Sequence, residues 1–265
     1  MHKVVISVLL LVLSPAVACV RARPEVSDSQ PEPAPDPNGV EAVLNDLQNR
    51  AARLETYQCK LDYVVRQPIL ESQSRRKGVL YYARFDDRSY LRIDFNTLQY
   101  DDEKEQKYRE QYLFDGVWLT YVSYEARSVQ RQQLTEPNDP VDAFALVSRR
   151  VPILGFAKVE ELTQQFDIER VDPNEADPSS LWHLHMNVKP DSIYRDDYVT
   201  IDFWIDKEQK LPRKVTAITT EQDIHEITLV DPRIDKEIPR SLFDMDIPTD
   251  FSVETIPLDK NDQRQ

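Results

Sequence analysis

With 47 acidic against 33 basic residues among 265, the chain carries a formal net charge of −14 at pH 7. Phosphate would repel such a surface, and the basic residues are scattered rather than gathered in a stripe, so nucleic acid is not an expected partner. Four glycines leave little material for a phosphate-cradling loop, and two cysteines exclude a disulfide framework.

Met1-His2-Lys3, an apolar run from Val4 to Leu13, and Ser14-Pro15-Ala16-Val17-Ala18 have the order of a secretory signal, which we assign to residues 1–18. The run is too short for a bilayer core, which takes about 20 apolar residues. No later segment is longer, so a mature chain without a transmembrane helix is expected. Two readings stay open at Cys19. Ala16-Val17-Ala18 is a small-residue cleavage site, while Ala18-Cys19 could end a lipoprotein box whose acylated cysteine anchors the domain to a membrane. Either way the product is exported, to the periplasm in a bacterium. Residues 19–38 carry Pro24, Pro31, Pro33, Pro35 and Pro37 among polar residues with no apolar period, and are expected to be a disordered tether.

A single domain is expected over 39–251. Val40, Val43, Leu44, Leu47, Ala51 and Leu54 recur at helical spacing and predict a helix to Leu54, with Asn38 placed to cap it. Six strands should follow, at 56–67, 78–85, 89–95, 108–115, 117–124 and 128–134, with Asp115-Gly116 as a hairpin signal. Cys59 alternates with Tyr57, Leu61 and Tyr63 and reads as a free thiol on a buried strand face. The stretch 139–165 is apolar without alternation and predicts short helices and a loop. Five further strands are expected at 165–171, 181–188, 198–205, 213–220 and 224–231, then an irregular stretch at 239–251 and a flexible tail at 252–265. The fold class is therefore α+β, mostly β: a curved antiparallel sheet of about 11 strands, a half-barrel, with an N-terminal helix and a lid of short helices. Several strands are apolar on both faces, so the sheet must be covered twice or curl around a cavity.

Chemistry-bearing clusters are sparse. His183 and His185 alternate on one strand, with Asp202 or Asp206 as conceivable third ligands, but a solvated strand face explains the pair and no metal is expected. Asp101-Asp102-Glu103 and Asp196-Asp197 read as solvated turns. No nucleophile elbow, phosphate loop or Cys-x-x-Cys pair occurs, so neither a catalytic residue nor a cofactor is expected, and the protein is read as a non-enzyme.

The succession of segments resembles the periplasmic outer-membrane lipoprotein carrier superfamily, the LolA/LolB-like proteins. It lies in Ala52-Arg53-Leu54-Glu55-Thr56-Tyr57, Gly78-Val79-Leu80-Tyr81, Tyr90-Leu91-Arg92-Ile93-Asp94-Phe95 and Leu113-Phe114-Asp115-Gly116-Val117-Trp118. Later come Ile201-Asp202-Phe203-Trp204-Ile205-Asp206 and Leu211-Pro212-Arg213-Lys214-Val215, so the likeness covers residues 40 to 251. It implies a curved sheet closed by short helices that binds acyl chains of lipoproteins in transit; related domains instead sense envelope lipoproteins.

Together these readings predict an envelope protein that binds lipoprotein acyl chains or other lipids for sorting or transport. The cavity would be lined by Leu80, Tyr82, Leu91, Ile93, Phe95 and Trp118, under a lid containing Phe144, Leu146, Ile153, Leu154 and Phe156. An envelope protein partner is compatible with it. The alternative is a sensor or scaffold module of the same fold with a filled core and no lipid cargo.

Overall fold

The computed structural model describes residues 36, 39–86, 88–143, 159–172 and 178–258. The predicted signal, Cys19, nearly all of the predicted tether and the predicted lid residues Phe144, Leu146, Ile153, Leu154 and Phe156 lie outside them.

Helix α1 is Val40–Ala52. Its predicted cap Asn38 lies outside the described residues; Gly39 occupies the N-cap position, and its carbonyl accepts the first helical bond from Val43 N at 3.0 Å. Glu41 in the first turn and Arg50 in the last complement the helix dipole. The apolar stripe Val43, Leu44 and Leu47 is buried against the sheet.

The strands are β1 (Thr56–Gln67), β2 (Ser72–Phe85), β3 (Arg88–Tyr100), β4 (Gln106–Phe114), β5 (Trp118–Ser123) and β6 (Ser128–Gln133). After helix α2 (Val159–Gln165) come β7 (Phe166–Val171), β8 (Leu181–Val188), β9 (Tyr198–Asp206), β10 (Pro212–Thr219), β11 (Ile224–Ile234) and β12 (Ser252–Ile256). They form one open, curved sheet in the order β12-β6-β5-β4-β3-β2-β1-β11-β10-β9-β8-β7. Two antiparallel meanders, β1 to β6 and β7 to β11, thus meet where β1 pairs with β11.

Several strands exceed their predicted bounds, β2 and β3 by the most. Ser72-Gln73-Ser74-Arg75-Arg76-Lys77 has no apolar alternation, yet it is strand because the tightly connected partner β1 presents a full ladder to it. The long β2–β3 ladder also explains Gly78: a Cβ there would sit 2.1 Å from Asp94 O, at a bulge where the two backbones close up. The Asp115-Gly116 turn forms as expected, with Gly116 at φ 92° and Asp115 Oδ1 accepting from Val117 N at 3.0 Å and Trp118 N at 2.7 Å.

A correction concerns the end of the chain. Residues 252–256, expected as flexible tail, form β12, which pairs in parallel with β6. The preceding irregular segment is a strap across the back of β2 to β5, the face away from α1. Phe243 is buried against Phe85 and Tyr90, with ring centroids 5.7 and 5.6 Å away. Arg92 donates to the carbonyls of Leu242 and Asp244, and Tyr124 to that of Asp246. The second apolar face of the first meander is therefore covered by the chain's own C-terminal segment, in which Phe243 ends a single 3-10 turn, Arg240–Phe243.

Candidate functional site

On the face toward α1, alternation and register bring together five predicted cavity residues. Leu80 and Tyr82 on β2 pair with Ile93 and Leu91 on β3, and Phe95 opposes Gly78. Leu80, Tyr82, Leu91 and Phe95 are buried in the core that α1 and α2 help to form, while Ile93 is only half-buried. From Ile93 an aromatic shelf continues across the sheet: Ile93 lies beside Tyr112 and Tyr112 beside Tyr121, with Leu119 next to Phe114. Tyr112 and Tyr121 pack at 4.9 Å, and Ile93, Tyr112, Leu119 and Tyr121 all remain half-buried.

Trp118 does not belong to this face. The tight Asp115-Gly116 turn sets Leu119 opposite Phe114, and since strand side chains alternate, Trp118 points to the back, where the Arg131 guanidinium sits 5.2 Å over its ring. The five lid residues lie outside the described residues. The segments flanking them, at Ala143 and Val159, both enter the core on the α1 side.

At the Phe95 end the shelf becomes polar, a feature the sequence reading missed. Glu110, 4% exposed, lies on the same face as Tyr108 and Tyr112; its carboxylate accepts from Tyr112 Oη at 2.9 Å, and Arg76 Nε approaches at 3.8 Å. Among the described residues, neither Arg76 Nε nor Glu110 Oε2 has a hydrogen-bond partner. Burial, reinforced by the Glu110 carboxylate, pushes the Tyr108 phenol up to about 12 and raises those of Tyr112 and Tyr121. The available signal was the spacing Tyr108, Glu110, Tyr112, which places a carboxylate between two tyrosines on one strand face.

Across the β1–β11 junction, Tyr63 Oη and His225 Nδ1 are 2.7 Å apart. Burial lowers the His225 pKa and pushes the Tyr63 phenol up to about 12. Cys59 is free and buried, as expected, and burial drives its thiol up to about 12, far from a nucleophile's range.

His183 and His185 lie on the back of β8, opposite the buried Leu184 and Met186. His183 Nε2 and His185 Nδ1 both bond Asp202 Oδ1, at 2.7 and 2.9 Å, and the His183 ring stacks on Trp204. This is a hydrogen-bonded triad rather than a ligand set converging on one point. Asp206 is elsewhere, bonding the backbone N–H groups of Glu208 and Gln209 in the β9–β10 turn.

No family model matches the chain, and none of the curated proteins matches it. Solved structures do share its fold. An uncharacterized conserved protein from Thermus thermophilus aligns over 81% of this chain and 98% of its own, at 8% identity and a TM-score of 0.50. The MucA/MucB complex of Pseudomonas aeruginosa aligns over 77% of this chain at 10% identity and a TM-score of 0.46, and this chain spans 60% of the matched one. A LolA superfamily protein from Nitrosomonas europaea aligns over 78% of this chain and 98% of its own, at 10% identity and a TM-score of 0.34. At 8% identity the likeness to the Thermus thermophilus protein is one of fold alone.

Proposed function

We propose that this is a non-enzymatic protein of the cell envelope that holds an acyl chain, carried by a lipoprotein or by another lipid, on the concave face of its sheet. The observation that carries the reading is the shelf of Ile93, Tyr112, Leu119 and Tyr121, which continues the buried core sideways as a half-covered apolar surface on one face of an open sheet. An acyl chain laid along it would gain about 0.8 kcal/mol for each methylene removed from water. The lipoprotein-carrier-like fold supports the reading, as does the raised pKa of Cys59 and of the site's tyrosines, which suits packing and hydrogen bonding rather than proton transfer at neutral pH. Export fits the N-terminal order of residues 1–18. Among the described residues no helix is long and apolar enough to cross a membrane. Ala18-Cys19, if it ends a lipoprotein box, would supply an acyl anchor.

A second reading is favoured by the depth at which Leu80 and Tyr82 are already buried, 1% and 0% exposed. There the core is filled, and the domain works as a sensor or scaffold for another envelope protein, without lipid cargo.

Native mass spectrometry of the mature protein purified from its own envelope separates the two. Co-purifying lipid, together with displacement of a fluorescent fatty-acyl probe, is the result expected for acyl binding. An empty protein that also ignores the probe sinks that reading and leaves the filled-core module. Tyr112→Ala combined with Leu119→Ser should weaken probe binding about tenfold, since it removes roughly half of the half-covered apolar shelf.

A further inference from the structure

The exposed large hydrophobic residues are not spread over the surface. Ile69 and Leu70 are 69% and 67% exposed at the tip of the β1–β2 hairpin, Tyr100 is 47% exposed at the β3–β4 turn, and Ile193 and Val199 are 69% and 49% exposed around the β8–β9 turn. All of these turns leave the sheet at one end. The sixth such residue among those described, Val253, is on the β12 edge.

Hydrogen bonds stitch this end into one surface. Asp101 exchanges bonds with Gln73, its N–H donating to Gln73 O at 2.8 Å and its Oδ1 accepting from Gln73 N at 2.6 Å, which ties the β3–β4 turn to the β1–β2 hairpin. Gln67 Nε2 donates to Asp223 Oδ2 at 3.0 Å, which ties that hairpin to the β10–β11 turn. Thr220 donates to the carbonyls of Asp196 and Asp197, at 3.0 and 3.1 Å, which reaches the β8–β9 turn. Shallow grooves lie between the first and between the last of these neighbours.

The charge of the rim is as one-sided as its apolarity. Residues 67–73, 100–106, 189–197 and 219–223 hold ten carboxylates and three cations, an excess equal to half of the chain's formal net charge of −14. Among the described residues, Glu71, Asp102, Glu103, Asp191, Asp197 and Glu221 form no ion pair. Exposed aliphatic side chains gathered at one end and rimmed by unpaired carboxylates have the composition of an interaction surface.

We propose that this hairpin end is a docking surface for a partner protein carrying a basic, amphipathic segment, whose apolar side chains meet Ile69, Leu70 and Ile193 and whose cations meet the unpaired carboxylates. Charge decides among the occupants. A second copy would bring the same acidic rim against this one, and an anionic lipid surface would set phosphates against ten carboxylates, so both are repelled where a cationic partner is steered in. The proposal does not depend on acyl binding at the concave face, which lies on different residues.

The test uses the full mature chain and a labelled, helix-forming peptide of Lys and Leu with amphipathic spacing, followed by fluorescence anisotropy. Ile69→Ser with Leu70→Ser should weaken binding about tenfold, and so should Glu71→Gln with Asp102→Asn and Glu103→Gln, while added salt lowers the affinity further. A charge-matched control, Glu169→Gln with Glu208→Gln and Glu237→Gln, lies on other exposed surface and should stay within about twofold of the parent. All the altered residues are exposed, and unchanged melting profiles show that the variants fold. An equal loss in the control, indifference to the Ile69 and Leu70 changes, or no binding of the peptide by the parent overturns the proposal. So does Ile69- and Leu70-dependent binding to phosphatidylglycerol-containing vesicles in place of the peptide, which would make the end a membrane contact.

Discussion

The two meanders of the sheet share a core on one face and differ on the other. Behind β2 to β5 lies an apolar surface, Ala83, Phe85, Tyr90 and Leu113, closed by the strap that carries Ile238, Leu242 and Phe243. Behind β8 to β10 lies a polar one: the triad of His183, Asp202 and His185, Trp204 stacked on His183, and Lys214 4.8 Å over the Trp204 ring and 2.9 Å from Glu226. One sheet thus uses two solutions to the same problem. The first meander buries its second face under distant chain, whereas the second meander builds that face from side chains that satisfy one another in partial contact with water.

Gly78→Ala should have the largest effect, because its Cβ would meet backbone on β3, 2.1 Å from Asp94 O and 2.9 Å from Phe95 Cα, where no side chain can swing aside. A loss of about 4 kcal/mol is expected, read from the midpoint of urea unfolding. A loss below about 1 kcal/mol would mean that the β2–β3 bulge relaxes freely. The contrast between the two back faces comes next. Phe243→Ala removes a buried ring that anchors the strap and should cost about 3 kcal/mol. Trp204→Ala, on the open face, removes a half-buried ring that stacks on His183 and lies under Lys214, and should cost about 1 kcal/mol. Hydrogen exchange should show β12 loosening with the first substitution and not with the second; equal losses and equal exchange would erase the distinction between a strapped and an open face.

The smallest effect lies at the seam between the meanders. Burial holds the His225 pKa below its usual value near 6.5, so the unfolded chain takes up the proton first as the pH falls. Stability should therefore decline as the pH drops below about 6.5, until the folded-state pKa is passed. His225→Gln keeps a partner for Tyr63 and removes the titration. Compared at pH 7.5 and 5.5 by denaturant midpoint, the variant should lose less than the parent, and a parallel decline would assign the acid sensitivity to other groups.

Much of the first face was legible because its residues obey a period of two. The bounds of β1 and β8 follow directly from the alternation of Tyr57, Cys59 and Leu61 and of Trp182, Leu184 and Met186. Leu80, Tyr82, Leu91, Ile93 and Phe95 were brought to one face by the same rule. Trp118 was not, since its face depends on the register that the Asp115-Gly116 turn imposes on β5. Glu110 and Arg76 were passed over because a charged residue on a strand ordinarily faces water, and only the surrounding tyrosines make this position an interior one.

By itself the sequence determined the helix stripe, the strand alternation and the acidic charge, all of which are properties of neighbours along the chain. Only the tertiary structure decided that 238–256 returns to strap β2 to β5 and to add β12 beside β6, that four separate turns make one acidic, apolar-tipped end, and that β11 closes on β1. Those outcomes join residues far apart in the chain, such as Arg92 with Leu242 and Gln67 with Asp223. Their energy comes from burying surfaces that local periodicity marks as apolar or charged without saying what will meet them.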